Sequence, residues 1–242
     1  MNNPFHNSEI IIASDLHLRS PEDSNYQLAV KSMSQIKEAK PTHLVLLGDI
    51  FDFYLGSKKY FERKHQIFIN AMEEVSAAGI EVIFIEGNHE FHLSDSQWRG
   101  ITVPDETSYT ITTKDGATIK LCHGDLINAP ASYLWFRKLI KSNGLKLLVK
   151  LVPSRLLDAY ALTHARVSRS SDVYRTLNHE ALLGDAKIWL ERPPKADKGV
   201  FGHFHHPYHE VHTDHTLMSL DSWYKPNFLL YRNDQFERIY LN

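Results

Sequence analysis

The sequence predicts an α/β fold, a layered α/β sandwich with a helical insertion. Three observations lead there. Short apolar runs at 10–13, 44–47 and 82–85 are continuous rather than alternating, the pattern of strands covered on both faces. The stretches between them carry helical spacing. After residue 108 the pattern changes to closely spaced strand-like runs separated by turn signals.

Taken in order, Ile10–Ala13 reads as the first strand, followed by a helix over 26–39 with Leu28, Ala29, Met33 and Ile36 on one face. Leu44–Leu47 is the second strand. A single helix over 61–78 follows, carrying Ile67, Phe68, Ala71, Met72 and Val75, and Gly79 ends it. Val82–Ile85 completes a βαβαβ beginning, which implies right-handed crossovers and ligands gathered at the carboxyl ends of the strands. Strands are expected at 108–112 and 117–122, joined through Asp115-Gly116, and again at 199–202, 216–220, 227–232 and 235–241. The first stretch of sheet should be mostly parallel and the second richer in hairpins.

Residues from about 130 to 190 read as helices inserted into one domain spanning 1–242, with breaks at Ser142-Asn143-Gly144 and at Pro153-Ser154. Between 131 and 175 there are nine Lys and Arg against only Asp158 and Asp172, in a chain of net charge -2. The same segment is rich in Leu, Trp and Val. An apolar and basic stretch of this kind fits either a helical pair with a solvated basic face or a lid that meets lipid or an anionic membrane.

The one cysteine, Cys122, excludes an internal disulfide and sits in an apolar run, so it is expected to be a buried thiol. There is no signal-peptide pattern at the N-terminus, and nowhere do about 18 apolar residues run together. The expected location is the cytoplasm, with peripheral contact at the cytoplasmic face of the inner membrane.

Five short motifs follow expected strands: Asp15-Leu16-His17, Gly48-Asp49-Ile50-Phe51-Asp52, Gly87-Asn88-His89-Glu90, His123-Gly124-Asp125 and Gly202-His203-Phe204-His205. That placement brings oxygen and imidazole donors to one rim of the sheet. Mixed oxygen and nitrogen donors without thiolate suit manganese, iron or zinc. A carboxylate can bridge two such ions, and Asp49 is the candidate bridge. His206, His209, His212 and His215 show no separate ligand spacing and are expected on surface loops.

The ordered set D-x-H, G-D-x-x-D, G-N-H-[DE], H-G-D and G-H-x-H resembles the calcineurin-like metallophosphoesterase superfamily across residues 13–206. The resemblance implies an α-β-β-α sandwich and two divalent ions, manganese above all. One ion would be held by Asp15, His17, Asp49 and His205, the other by Asp49, Asn88, His123 and His203. It implies that His89 stabilises the transition state or protonates the leaving oxygen, with Glu90 as its orienting partner. Asp52 and Asp125 are candidates for hydrogen-bonding support around the ligands.

Within the superfamily, the chain is similar to the UDP-2,3-diacylglucosamine pyrophosphatases of lipid A synthesis, whose insertion caps the site and holds acyl chains. This likeness implies hydrolysis of UDP-2,3-diacylglucosamine to 2,3-diacylglucosamine 1-phosphate and UMP. On this reading Asn88, His89 and His203 also touch substrate, Arg166, Ser168 and Arg169 contact phosphate, and Leu147 and Leu148 hold acyl chains. That family carries Gly-Asn-Arg-Asp where this chain has Gly87-Asn88-His89-Glu90, so a sibling pyrophosphatase acting on another nucleotide or lipid substrate is the alternative. A soluble phosphodiesterase or nuclease is a second alternative. A nucleic-acid partner is disfavoured because the basic residues fall in a leucine-rich segment rather than along an aromatic groove. A metal-binding scaffold without catalysis should have lost ligands, and all seven are present.

Overall fold

The computed structural model describes residues 3–105, 107–160, 163, 179–213 and 215–241. The expected opening is formed by β1 (Ile10–Ala13), α1 (Ser24–Ala39), β2 (His43–Leu47), a two-residue β3 (Tyr54–Leu55), α2 (Lys59–Lys64), α3 (Gln66–Ala77) and β4 (Glu81–Ile85). Next come β5 (Glu90–Phe91), β6 (Ile101–Thr102), β7 (Ser108–Thr112) and β8 (Thr118–Cys122). The helices α4 (Ala131–Ile140) and α5 (Asn143–Leu151) are followed by helical backbone at 154–160 and by α6 (His179–Glu191). The chain ends with β9 (Lys198–Phe201), β10 (Tyr208–Val211), β11 (Thr216–Ser219), β12 (Asn227–Arg232) and β13 (Gln235–Tyr240).

Two main sheets form, with strand orders β13-β12-β1-β2-β4-β6 and β10-β11-β9-β8-β7. In the first, Ile12 lies beside Val45 and Leu229, and Val45 beside Ile83. These side chains meet Ile119, Leu121, Val200 and Met218 of the second sheet in the central core. One residue along each strand, Ile11, Leu44, Val82 and Leu230 point the other way and pack with Ala29, Met33 and Ile36 of α1 and with Phe68, Met72 and Val75 of α3. The far face of the second sheet places Cys122, Phe201 and Leu217 against Leu182, Ala186 and Leu190 of α6. The layers are therefore α-β-β-α, and strands covered on both faces need the unbroken apolar runs read in the sequence.

The structure corrects the expected sheet split. The C-terminal hairpin β12–β13 joins the first sheet, antiparallel to β1, so both sheets are mixed in direction. The helix expected over 61–78 breaks at His65, which leaves helical geometry at φ -108 and ψ 17. Its ring is buried there against Phe51, at 4.5 Å between centroids, and Tyr26, at 6.0 Å. The insertion also divides: α6 belongs to the body, whereas α4 and α5 contain no buried residue and lie over the rim.

Apart from Val149, which packs on the core, polar ties hold those two helices down. Arg137 Nε and the Tyr133 hydroxyl both donate to Asp125 Oδ2, at 2.8 and 2.9 Å. Lys141 pairs with Glu86 at 3.2 Å and Lys146 with Asp95 at 2.5 Å. Lys58 of the body donates to the carbonyls of Lys150 and Val152, at 2.8 and 2.9 Å. Arg137, Lys141 and Lys146, three of the nine basic residues of 131–175, thus meet carboxylates on the body itself.

Candidate active site

The carboxyl ends of β1, β2, β4, β8 and β9 converge, and each expected donor follows one of them within a few residues. Five take left-handed backbone without being glycine: Asp15 (φ 55), His17 (φ 47), Asp49 (φ 51), His203 (φ 69) and His205 (φ 51). Such conformations cost about 1 kcal/mol or more each and persist where the surroundings over-determine them. Here backbone bonds lock the loops together: Asp15 N donates to the Gly48 carbonyl at 3.1 Å, and His17 N to the Asp49 carbonyl at 2.9 Å. The loops also approach too closely for side chains. A Cβ on Gly87 would stand 2.4 Å from Asp49 Oδ1, and one on Gly48 would stand 2.6 Å from Gly87 Cα.

The donors form two groups sharing one rim. Asp15, His17 and His205 offer ligand atoms within 4.8 Å of one another, and so do Asp49, His123 and His203. Asp15 Oδ1 lies 3.2 Å from His205 Nε2, which in turn is 3.4 Å from His17 Nε2. In the second group His123 Nε2 lies 3.0 Å from Asn88 Oδ1 and 3.5 Å from Asp49 Oδ1. His17, Asp49 and His89 form a further overlapping trio, which puts Asp49 between the two groups. All seven expected ligands come together.

The electrostatics of the cluster suit bound cations. Burial alone would raise the Asp15 carboxyl, but the hydrogen bond and charge of His205 outweigh it and bring it down to about 2. Burial opposes a charged His123, yet the adjacent Asp49 carries that ring up to about 10. Burial depresses His17 and His203, each to about 4. His89 and His205 are raised as well, so protonated rings balance the Asp15 and Asp49 carboxylates in the free cluster. Divalent ions would displace those protons and use the imidazoles as ligands. Support from outside the ligands is in place, because His123 Nδ1 donates to the Leu47 carbonyl at 2.7 Å and fixes that ring.

The structure departs from expectation at Glu90. Its carboxylate does not orient His89. Oε2 accepts the backbone N–H groups of Asp49 at 2.8 Å and Gly87 at 3.0 Å, while Oε1 accepts that of Phe51 at 3.0 Å. Burial, reinforced by the nearby Asp49 charge, raises it to about 7. Glu90 clamps the Asp49 and Gly87 loops to each other. The partner of His89 is the Asp52 carbonyl, which accepts from Nδ1 at 2.7 Å and leaves Nε2 3.8 Å from Asp49 Oδ2. Nothing in the sequence separates Glu90 as a backbone clamp from Glu90 as a side-chain partner.

Asp52 accepts from Arg19 Nε at 2.8 Å, and Asp125 anchors α4 as described above, so both stand beside the ligands in supporting positions. Arg166, Ser168 and Arg169 lie outside the described residues. Cys122 is buried, and burial raises its thiol well above the ordinary range. Of the remaining histidines, His212 and His215 stack at 4.6 Å beside Glu210 on the β10–β11 hairpin, where Lys187 also pairs with Glu210 at 3.0 Å.

Beneath α4 and α5 a cavity of about 500 Å³ opens onto Asn88 and His89. Its walls are largely apolar, with Phe53, Leu55 and Phe91 from the body and Phe136, Ile140, Leu145 and Val149 from the covering helices. This corrects the expected helix face. Leu147 and Leu148 do not line the cavity and are 66% and 61% exposed. Among the described residues no helix is long and apolar enough to cross a membrane.

An α-β-β-α sandwich with two histidine and carboxylate groups side by side at its rim, Asp49 lying between them, defines a metal-dependent phosphoester hydrolase of the two-metal class. Residues 8–227 match the family described as calcineurin-like phosphoesterase, and the chain belongs to it. The UDP-2,3-diacylglucosamine hydrolase of Neisseria gonorrhoeae is 24% identical over 225 residues, covering 91% of this chain and 92% of that protein. The protein of the same name from Porphyromonas gingivalis is 26% identical over 218 residues, covering 81% and 82%. Among solved structures, an archaeal phosphodiesterase shares the fold at a TM-score of 0.50 with 13% identity, covering 96% of this chain and 99% of that one.

Proposed function

We propose that this protein hydrolyses UDP-2,3-diacylglucosamine to 2,3-diacylglucosamine 1-phosphate and UMP, as a single domain whose helical insertion at about 130–190 supplies a lid through α4 and α5. The observation that carries the substrate half is the apolar cavity beneath the lid, which ends against the metal-ligand cluster at Asn88 and His89. Such a cavity accommodates fatty chains beside an anionic head placed over the donors. The likeness to the hydrolases of that name over most of the chain supports the same substrate.

In this reading Asp15, His17, Asp49 and His205 hold one ion and Asp49, Asn88, His123 and His203 the other. Two divalent ions held by these residues, manganese in this proposal, would lower the pKa of water at the site and stabilise charge on the phosphate oxygens. Asp49 keeps the two sets of ligands at a fixed spacing. His89, held through Nδ1 by the Asp52 carbonyl, presents Nε2 to the cleft, where it stabilises the transition state or delivers a proton to the leaving oxygen. Asn88 and His203 flank the phosphate, with Arg166, Ser168 and Arg169 as further phosphate contacts. The outer face of the lid, with Trp135 69%, Leu147 66% and Leu151 82% exposed, rests on the anionic cytoplasmic face of the inner membrane, from which an acylated substrate is drawn.

The test is manganese-dependent hydrolysis of UDP-2,3-diacylglucosamine beside its deacylated analogue and bis-p-nitrophenyl phosphate. Release of UMP from the acylated substrate at a kcat/KM well above the other two supports the reading. Turnover of the small diester alone would overturn the substrate and leave the metal chemistry standing. Asp49→Ala should remove turnover of every substrate and lower the bound metal from two ions per chain, measured by elemental analysis.

A further inference from the structure

On the other flank of the ligand cluster a second pocket of about 370 Å³ opens between the loop after β1, the start of α1 and the loop before β12. Asp15 and His17 form its inner wall, whereas the apolar cavity reaches the cluster from Asn88 and His89. The two pockets have no lining residue in common. The second is the more polar of the two, since Arg19, Asp23, Asn25 and Tyr224 line it beside Leu16, Leu18 and Trp223. A phosphoanhydride placed over the donors therefore has a fatty side and a polar side.

We propose that this polar pocket receives the nucleoside of a nucleotide-containing substrate, with Tyr224 stacking on the base and Arg19, Asp23 and Asn25 hydrogen-bonding to base and ribose. The proposal rests on the lipid-nucleotide reading above and gives that substrate an orientation across the site.

The loop that carries Tyr224 is held rigidly. Trp223, only 2% exposed, donates its Nε1–H to the Asn227 carbonyl at 3.0 Å and packs edge-on to Phe228 at 5.4 Å. Its backbone N–H reaches the Asp15 carbonyl at 3.3 Å, and its carbonyl accepts Asn25 Nδ2 at 3.0 Å. The next residue, Tyr224, nevertheless leaves 76% of its surface in solvent. A large exposed ring on an immobilised loop next to a ligand aspartate has no packing role and is placed as base stacking requires.

The polar rim supplies the complementary groups. Arg19 commits its Nε–H to Asp52 at 2.8 Å, which fixes the guanidinium, and the side chain remains 38% exposed toward the pocket. Asp23 stands at the N-cap of α1 but makes no side-chain cap hydrogen bond, so its carboxylate is not consumed by the helix amides. It can accept from a ribose diol or an imide N–H, while guanidinium and amide N–H groups serve base carbonyls. A lipid phosphate without a nucleoside could meet Arg19 but would leave Tyr224 and Asp23 unused.

The test is calorimetric binding of UMP and of ribose 5-phosphate to the manganese-loaded protein, with the wild type, Tyr224→Phe, Tyr224→Ala and Phe136→Ala compared. The expected result is UMP binding about tenfold tighter than ribose 5-phosphate in the wild type and in Tyr224→Phe. Tyr224→Ala should bring the two ligands close to equal affinity, and Phe136→Ala in the acyl cavity should leave the ratio as in the wild type. Equal affinities in the wild type, or a preference for UMP that survives Tyr224→Ala, would overturn the proposal. A preference for UMP that depends on Tyr224 in a protein that fails to cleave UDP-2,3-diacylglucosamine would support the nucleoside pocket and overturn only the acylated half of the substrate.

Discussion

His65→Phe should stabilise the protein more in acid than in base. The ring sits at the α2–α3 break among Tyr26, Phe51 and Tyr54, and neither nitrogen has a hydrogen-bond partner. Burial, with the Lys64 charge adding to it, lowers this histidine from 6.5 to about 3. The unfolded chain therefore binds a proton below about pH 6.5 that the folded protein refuses. The stability tied to the neutral ring is whole above that pH and is lost as pH falls toward 3. At pH 5 the deficit is 1.5 units, about 2 kcal/mol at 1.36 kcal/mol per unit, and at pH 8 it is close to zero. Phenylalanine has nearly the same shape and cannot charge. Urea denaturation of both proteins at pH 5 and pH 8 gives a double difference in which the site histidines, common to both, cancel. The expected value is about 2 kcal/mol in favour of the variant at pH 5. A double difference under about 0.5 kcal/mol would mean that His65 protonates in the folded state and that the packing argument fails.

Other perturbations separate structural from chemical roles. Gly87→Ala places a methyl 2.4 Å from Asp49 Oδ1 and should cost metal occupancy and turnover together, read by elemental analysis and by hydrolysis of bis-p-nitrophenyl phosphate. Glu90→Gln replaces one acceptor oxygen of the clamp by an N–H donor. It should weaken metal affinity by about 10- to 100-fold, measured by competition with a chelator, and an unchanged affinity would argue against the clamp. Val149→Asp inside the cavity should raise KM for the acylated substrate far more than for a small diester. Leu147→Ser on the outer face should spare detergent-solubilised substrate and reduce binding to anionic vesicles, seen by co-sedimentation.

The layered fold and the gathering of Asp15, His17, Asp49, Asn88, His123, His203 and His205 at one rim were legible because both follow from local pattern. Strands covered on two faces must be continuously apolar, and a rim site must place its donors just past them. What escaped depends on partners far away in sequence. Only Ile10–Ile12 pairing with Leu229–Tyr231 shows that the last hairpin closes the first sheet. β10 was missed because Tyr208–Val211 is short and mostly polar. The faces of α5 were misread because its basic stripe does not simply face solvent: Lys146 turns to the body and pairs with Asp95, which leaves Leu147, Leu148 and Leu151 on the exposed side. Glu90 was given to a neighbouring side chain when its partners are backbone amides, groups that every residue carries.

The first donor group joins residues far apart in the chain: His17 and His205 meet across 188 positions, and Asp15 and His205 across 190. An ion held there would fasten an early segment to a late one, in the manner of a clasp. A growing chain that has completed β1 to β8 already owns Asp15, His17, Asp49, Asn88 and His123, but neither of the proposed shells would be complete until β9 and its following loop had emerged. On that reading metal capture would come late in folding. A chelator acting on the finished protein would release a long-range cross-link as well as a catalytic group, and the entropy of so large a loop would return to the unfolded chain.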